Sequence, residues 1–433
     1  MINRDKAPSA AETFVQMAQA PGLRDRLLLT VGLLILIRLG IYIPVPGIDR
    51  AAFAQAISQN SALSFLDLFA GGGLKTLGLF ALGIIPFINA SIILQLLTAA
   101  IPKLEDLQKN EGEAGRRKIA QITRYVAGGW AVIQSLMLTI GLLKPFAISY
   151  SPMFIIETVA ALAAGAMFVM WVSELITERG IGNGASLVIF LNIVATLPQS
   201  LGGTLELIQT GNREFVAGVI ILLLIFLAMV FGIVFVEEGA RRIPIVSARR
   251  QVGRQSFLER NSYLPLKLNQ GGVMPIIFAS SVLTLPALLQ GAIKNEGFSK
   301  FVSNFLSPTS IGHNLLYFVL ILFFSYFYAS LVVQPDDMSK NLKKMGASIP
   351  GVRPGTATTE YIGGVMNRLT LLGALFLSVV AIVPTMVESA TKVTTFRGFG
   401  ATSLLILVGV AIQTAKQVKT YVISQRYEGM VDP

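Results

Sequence analysis

The chain has 433 residues, of which 53% are hydrophobic and only 14% are charged. About a quarter of the residues in an ordinary soluble domain are charged, so this composition excludes such a domain and predicts a polytopic membrane protein. Because the chain has no cysteine, it contains no disulfide, no thiolate metal ligand and no cysteine nucleophile.

The amino-terminal segment up to Arg26 mixes acidic and basic residues and has no short apolar core followed by a small-residue cleavage site. We therefore expect no cleavable signal sequence, and we expect the first apolar run to remain in the mature protein as a membrane span. Arg38 lies inside this first run. The sequence alone assigns Arg38 to neither side of the membrane.

Residues 64–98 predict a membrane helix that is interrupted. The front piece, residues 64–70, is too short to cross a bilayer, and the three glycines at 71–73 then lower helix propensity. The longer piece, residues 76–100, is mostly apolar but carries groups that hydrocarbon penalises unless protein or water satisfies them. These are Pro86, Asn89, Ser91 and Gln95. We therefore expect a hinge at the glycines and a helix face that avoids lipid.

Ten apolar runs are close to the ~20 residues that are needed to cross the hydrocarbon of a bilayer. In chain order they cover residues 27–42, 76–100, 119–143, 153–176, 185–198, 215–236, 272–291, 315–333, 361–384 and 401–415. An even number of spans places both termini on the same side of the membrane.

Lysine and arginine are distributed unevenly between the two sets of loops, and the cytoplasmic loops of membrane proteins carry the excess. If the amino terminus is cytoplasmic, most of the 35 basic residues lie on that side. The opposite side then holds Arg50, Lys75, Lys144, Arg213, Lys294, Lys300, Lys392 and Arg397. We therefore predict that both termini are cytoplasmic and that the net charge of +11 mainly reflects topology.

Two loops on the predicted cytoplasmic side are long and basic. The first, about residues 237–268, alternates charged with apolar residues around Ile243, a pattern that favours a short projecting hairpin. In the second, about residues 334–360, two prolines frame Arg353, and an arginine in so rigid a turn suits phosphate or carboxylate recognition. Simple positive-inside placement accounts for both loops. A docking surface for an RNA-rich or acidic partner also explains why so much charge is concentrated there.

The spans contain few groups that could bind or transfer ions. Ion-driven transporters place carboxylates, histidines or paired charges near mid-membrane, whereas the few charged residues here lie mostly near predicted span ends. The single histidine, His313, lies near the start of a span and is assigned no role. No nucleotide-binding glycine loop or known hydrolase motif is present. We therefore predict a protein that is not an enzyme, uses no cofactor or metal, and takes its energy from a partner.

Four ordered segments together resemble the bacterial SecY family, the central subunit of the Sec protein-conducting channel, and the likeness extends over nearly the whole chain. The first two segments are GLFALGIIPFINASIILQ at 78–95 and ERGIGNGAS at 178–186. The third runs from RRIP at 241 to LPLK at 264 and continues with GGVMPIIFASS at 271–281. The fourth runs from NLKKMGASIPGVRPG at 341 to MNRLTLLGA at 366.

The resemblance implies an all-α fold with ten transmembrane helices in two inverted five-helix halves, residues 1–200 and 201–433, around a central pore. It also implies a lateral gate to lipid between the second and third helices on one side and the seventh and eighth on the other. A short plug helix, about residues 62–73, is expected to close the pore. The plug residues are Ser64, Phe65, Leu66, Asp67, Leu68, Phe69, Gly71, Gly72 and Gly73.

The resemblance further implies a hydrophobic pore ring made of five isoleucines. These are Ile84, Ile88, Ile193, Ile277 and Ile406. A branched apolar ring holds back water and ions, yet deforms around an extended peptide because it offers no fixed charge or hydrogen bond. Taken one at a time, these isoleucines are more simply explained by helix packing. The i, i+4 spacing of Ile84 and Ile88 does place both on one helix face.

Partners and location follow from the same resemblance. It implies SecE and SecG subunits, the SecA motor ATPase, the ribosome through its RNA, signal sequences, unfolded polypeptides and membrane lipid. The expected contacts of SecA and the ribosome are Arg241, Arg249, Arg250, Arg254 and Arg353. The membrane would be a bacterial plasma membrane or a thylakoid. A small-solute or lipid transporter with a broken helix stays open as the alternative, although the scarcity of intramembrane charge argues against it.

Overall fold

The structure is a computed structural model that describes residues 21–59, 67, 70–109, 111–209, 213–247, 262–292, 296–305, 310–391 and 401–428. The helices of the first part of the chain are α1 (Pro21–Gly40), α2 (Arg50–Gln59), α3 (Gly73–Thr76), α4 (Ile85–Ala100), α5 (Pro102–Lys109), α6 (Gly112–Leu138), α7 (Pro152–Arg179) and α8 (Gly184–Gln209). A π turn, Thr139–Leu143, and a 3-10 turn, Lys144–Phe146, follow α6.

The second part of the chain adds seven helices and a small sheet to the described structure. The helices are α9 (Arg213–Glu238), α10 (Met274–Ala292), α11 (Glu296–Phe305), α12 (Ile311–Val332), α13 (Pro335–Lys344), α14 (Thr356–Thr391) and α15 (Ala401–Glu428). The strands are β1 (Ala240–Ser247), β2 (Ser262–Lys267) and β3 (Ala347–Ser348), and they form one antiparallel sheet in the order β2-β1-β3.

Each of the ten predicted spans falls on a long helix. These helices are α1, α4, α6, α7, α8, α9, α10, α12, α14 and α15. By length and apolar composition alone, five helical segments of the described chain qualify as membrane spans, and α4 with α5, bent by 106°, makes a sixth. Shorter apolar stretches lie in α8 and α10. The predicted helical, membrane-spanning architecture is therefore confirmed.

The second span begins later than the sequence predicted. Thr76 ends the short helix α3, residues 77–84 form turns, and the helix α4 begins only at Ile85. A Cβ on Gly78 would lie 1.8 Å from the carbonyl oxygen of Ile41, and Gly83 has a φ of +52°, so this stretch is shaped by close backbone contact rather than by helix. Pro86 then lies in the first turn of α4, where its missing N–H costs no helical hydrogen bond.

One large cluster of buried apolar side chains joins helices from both ends of the chain. Residues from α1, α4, α7 and α8 meet there with residues from α9, α10, α12, α14 and α15. A second cluster packs α2 and residues 70–82 against α6 and α7, around Phe53, Leu77 and Leu162. The large cluster matters most for function, because it fixes the positions of the candidate site residues.

Candidate functional site

The five isoleucines expected to form a pore ring all belong to the large buried cluster. Ile88 lies on α4 with Ile84 directly before the helix, while Ile193, Ile277 and Ile406 lie on α8, α10 and α15. All five are buried, and the most accessible of them, Ile88, is only 8% exposed. The N–H of Ile88 donates to the carbonyl oxygen of Ile84 at 3.1 Å, which confirms that both lie on one side of the helix. All five side chains are apolar, so the positions expected to form the ring carry neither a charge nor a hydrogen-bonding group.

The helices expected to form the lateral gate contact each other through α10. This helix packs against α6 and the π turn Thr139–Leu143, and also against α4. On its other side, Phe278 of α10 meets Phe324 of α12 edge-on, with ring centroids 5.7 Å apart. The two sides of the expected gate are therefore in contact in this structure.

Part of the predicted plug lies within the described residues. Asp67 and the glycines at 71–73 are described, whereas Ser64, Phe65, Leu66, Leu68 and Phe69 lie outside the described residues. The Gly72 N–H donates to the Asp67 carbonyl oxygen at 2.9 Å, and the Lys75 N–H donates to Asp67 Oδ1 at 2.8 Å. Gly71 and Gly72 have φ angles of +65° and +83°, which favour glycine. The glycine run thus forms a specific hydrogen-bonded turn in this structure.

The Asp67 carboxyl lies in a partly buried setting beside two cations. Burial raises the pKa of this carboxyl, while the backbone hydrogen bonds that it accepts and the charges of Lys75 and Arg38 act in the opposite direction. Arg38 is therefore close enough to this turn to affect its electrostatics.

Two polar residues that were not among the predicted site residues contact the turn directly. Arg38 of α1 donates a hydrogen bond from Nη1 to the carbonyl oxygen of Gly71. Asn192 of α8 is 1% exposed and lies against Gly71 as well. The available signal in the sequence was that both are polar residues inside apolar spans, where such residues are usually retained for a function.

The two basic loops form a single unit, which we call the loop body: β1, β2, α13, β3 and the turn up to Gly355. The strands β1 and β2 pair from Ala240 opposite Lys267 to Ile245 opposite Ser262, which confirms the predicted hairpin. The other loop supplies β3, which pairs with β1 through Val246 and Ser348. Under the sheet, residues of all these elements pack against α14. The sequence did not predict β3, because a two-residue strand leaves no periodic pattern.

The predicted docking arginines are only partly described. Arg241 and Arg353 are exposed on the loop body, and Arg249, Arg250 and Arg254 lie outside the described residues. The turn that carries Arg353 is fixed by two hydroxyl groups. Thr358 Oγ1 donates to the Arg353 carbonyl oxygen and Ser339 Oγ to the Gly355 carbonyl oxygen, both at 2.8 Å. An exposed guanidinium on a fixed backbone is suited to an anionic partner.

Two ion pairs among the described residues join neighbouring helices. Arg124 of α6 pairs with Glu174 of α7 at 2.9 Å, and Lys416 of α15 pairs with Glu238 of α9 at 2.8 Å. Across the part of the chain that the structure describes, no group of three or more histidine, aspartate or glutamate side chains could hold a metal ion.

The candidate site thus has three described parts, which are the buried isoleucines, the polar turn at Gly71 and the basic loop body.

Comparisons with known proteins agree with this arrangement. A sequence model of the SecY family matches residues 78–415. Protein translocase subunit SecY of Synechocystis sp. is 67% identical to this chain, over 100% of the chain and 99% of the relative. Protein translocase subunit SecY of Synechococcus elongatus is 66% identical over the same shares.

Solved structures share the fold at lower identity. The structure of a protein conducting channel matches with a TM-score of 0.67 at 18% identity, covering 94% of each chain. A SecY structure described in terms of its plug domain, which stabilises the closed state of that channel, matches with the same values. Sec61 in a canine ribosome-channel complex matches with a TM-score of 0.63, again at 18% identity and over 94% of each chain. The match to the SecY family model and the high identity to the two SecY relatives show that this chain belongs to the SecY family.

Proposed function

We propose that this chain is the channel-forming subunit of a protein translocase. It would conduct unfolded polypeptides across a membrane and release apolar segments sideways into lipid. The observation that carries this proposal is the 67% identity, over the full chain, with a protein translocase subunit SecY. A channel of this family has no catalytic centre of its own, so the energy for transport would come from a partner.

In this proposal the five buried isoleucines form the seal of the resting pore. All five belong to one buried apolar cluster, which supports the assignment because apolar constrictions exclude water and ions. The turn at Gly71 belongs to the plug, and it lies beside Asn192, the chain neighbour of the ring residue Ile193. Signal sequences would part α4 and α6 from α10 and α12. Partner and signal binding would then shift the equilibrium toward the open state.

The proposed partners are SecE and SecG as further subunits, with SecA and the ribosome docking on the loop body. Arg241, Arg249, Arg250, Arg254 and Arg353 would make the docking contacts. Support for a ribosome comes from Sec61, whose fold is similar and which occurs in a ribosome-channel complex.

The proposed location is a bacterial plasma membrane or a thylakoid membrane, which the cyanobacterial relatives support. The basic loops support a topology with both termini on the cytoplasmic side. The proposed halves are residues 1–200 and 201–433.

Reversing the charge at Arg353 tests the docking surface. Vesicles that contain this chain with SecE and SecG are supplied with SecA, ATP and a signal-bearing precursor, and protease-protected precursor is measured. Arg353→Glu is expected to lower protection by tenfold or more, because losing one partner of a desolvated charge pair costs roughly 2–5 kcal/mol. The matched control is Lys340→Glu, which reverses another exposed charge of the same loop body and is expected to have little effect.

The outcomes of this experiment separate the parts of the proposal. Unchanged protection with Arg353→Glu would remove Arg353 from the docking surface and leave the channel in place. No protection of any precursor, with all partners shown to be active, would contradict the channel itself. Saturable uptake of a small solute by the purified chain alone would instead favour a carrier.

Deleting residues 62–73 tests the plug. The deletion removes the turn at Gly71, and we expect ion conductance through resting vesicles to rise, because the plug no longer supports the apolar seal. The measurement is ion flux in the absence of precursor and SecA. An unchanged resting flux would show that this segment is not a plug.

A further inference from the structure

Arg38 is a charged residue of a membrane-spanning helix that the proposed function does not use. A guanidinium at such a position is costly, and residues of this kind usually have a partner and a function. Its side chain is half-buried, and its guanidinium carbon lies 5.7 Å from the ring centroid of Tyr42. Its Nη1 atom donates to the carbonyl oxygen of Gly71, which is 33 residues away in the chain. The cation of α1 thus holds the backbone of another segment.

Gly71 fits closely between two helices. A Cβ atom added to Gly71 would lie 2.5 Å from Oδ1 of Asn192 on α8 and 3.0 Å from Nη1 of Arg38 on α1. The backbone of Gly71 also has a φ of +65°, which other residues rarely adopt. A side chain at this place therefore requires the Asn192 and Arg38 side chains, or the turn itself, to move. Arg38 and Asn192 therefore form a seat for a residue without a side chain.

The turn on either side of Gly71 is closed by its own hydrogen bonds. The Asp67 carboxylate accepts from the Lys75 N–H, and the Asp67 carbonyl oxygen accepts from the Gly72 N–H. Behind the turn, Ala70 and Leu74 are buried in the second apolar cluster. Because the turn is internally fixed, a single bond from Arg38 to Gly71 positions the turn as a whole.

We propose that Arg38 is a positioning residue that holds the Gly71 turn in its seat between α1 and α8 while the channel is closed. This proposal rests on the proposed function of the segment as a plug. Charge-assisted hydrogen bonds are the stronger ones, and they strengthen where water is excluded, so one such bond is enough to bias the closed state. Opening the channel would require this bond to break.

Removing the guanidinium tests the proposal. In resting vesicles, Arg38→Gln is expected to raise ion conductance about tenfold, which corresponds to ~1.4 kcal/mol. Arg38→Lys keeps the charge and a donor and is expected to give a much smaller rise. The matched control is Arg26→Gln, which removes a charge from the same helix at a position that contacts Tyr421 instead of the turn. A rise with Arg26→Gln equal to that with Arg38→Gln would overturn the proposal.

Combining Arg38→Gln with the deletion of residues 62–73 separates positioning of the turn from a general weakening of the fold. If Arg38 acts only through the turn, the double variant conducts no more than the deletion alone. If Arg38→Gln multiplies the conductance of the deletion variant by the same factor as that of the intact chain, Arg38 acts elsewhere and the proposal fails. A deletion that leaves conductance unchanged, alongside a leaky Arg38→Gln, contradicts the plug itself and with it this proposal.

A pair of glycine variants tests the seat independently of charge. Gly71→Ala and Gly72→Ala both place a side chain on a left-handed residue, with φ angles of +65° and +83°. Only Gly71→Ala meets Asn192 and Arg38, since a Cβ on Gly72 has no atom within 4 Å. We expect Gly71→Ala to raise resting conductance well above Gly72→Ala, provided that both variants assemble to similar levels. Equal conductance in the two variants would show that the seat has no role.

Discussion

A variant with glycine in place of both Ile84 and Ile277 is expected to leak ions at rest at least about tenfold more than the unaltered chain. Both side chains are buried in the large cluster, one at the start of α4 and the other on α10. Removing them leaves a cavity between packed helices, and an apolar constriction that has lost its side chains no longer excludes water. A tenfold rise means a barrier lower by ~1.4 kcal/mol. The measurement is ion flux from vesicles without precursor or SecA.

The control for this variant removes the same volume from the same cluster at other positions. Ile176 of α7 and Ile321 of α12 are both 0% exposed members of the cluster and lie outside the proposed ring. Replacing both with glycine removes identical side chains and lowers helix propensity at least as much as the Ile84 and Ile277 variant, in which Ile277 alone lies inside a helix. If this control leaks as much as the Ile84 and Ile277 variant, the ring has no special status and the leak reflects general loosening of the core.

The second large effect is expected at Gly184, where α8 begins. A Cβ on Gly184 would lie 1.7 Å from the carbonyl oxygen of Ser173 on α7, which is backbone that cannot rotate away. Gly184→Ala must therefore push α7 and α8 apart, at a cost of roughly 1–3 kcal/mol or more. Because α8 also carries Asn192 and Ile193, the seat and the ring move with it. We expect a lower thermal unfolding midpoint in detergent and a higher resting leak.

Gly202 of the same helix supplies the matched control. A Cβ at Gly202 would meet no atom within 4 Å. Alanine favours a helix over glycine by up to ~1 kcal/mol, so Gly202→Ala should unfold at the same temperature as the unaltered chain or slightly higher. Equal midpoints for the two variants would mean that the close approach of α7 and α8 does not limit stability.

The membrane-spanning architecture could be predicted from the sequence because it depends on long apolar runs. Each run had to be helical, since hydrocarbon leaves no other way to satisfy the backbone. The predicted start of the second span was wrong because it too depended on hydropathy. Residues 77–84 are mostly apolar, but they are not helical. Gly78 packs closely against the backbone of Ile41, and Gly83 has a positive φ, and hydropathy reveals neither feature.

Local patterns and the family resemblance name candidate site residues, but neither predicts contacts between segments that are distant in the chain. The hairpin followed from its charge pattern, and the isoleucines followed from the resemblance to the SecY family. The seat formed by Arg38 and Asn192 needs α1, α8 and the turn at Gly71 to come together, and no local pattern in the chain encodes that meeting. The pairing of β3 with β1 joins two loops about 100 residues apart for the same physical reason.

The base of the loop body, where β1 follows α9 and β2 leads into α10, is held by hydrogen bonds. The strand β2 ends at Lys267 and α10 begins at Met274, three residues before Ile277. In between, the Leu268 N–H donates to the Gly239 carbonyl oxygen at 2.9 Å, and Asn269 Nδ2 donates to Glu237 Oε2 at 3.2 Å. If a partner docks on the loop body as proposed, we expect a tilt of the sheet to move α9 and α10 as well, because these bonds leave no loose linker between them. Such a movement would reach the proposed pore ring through Ile277, which lies in the first turn of α10.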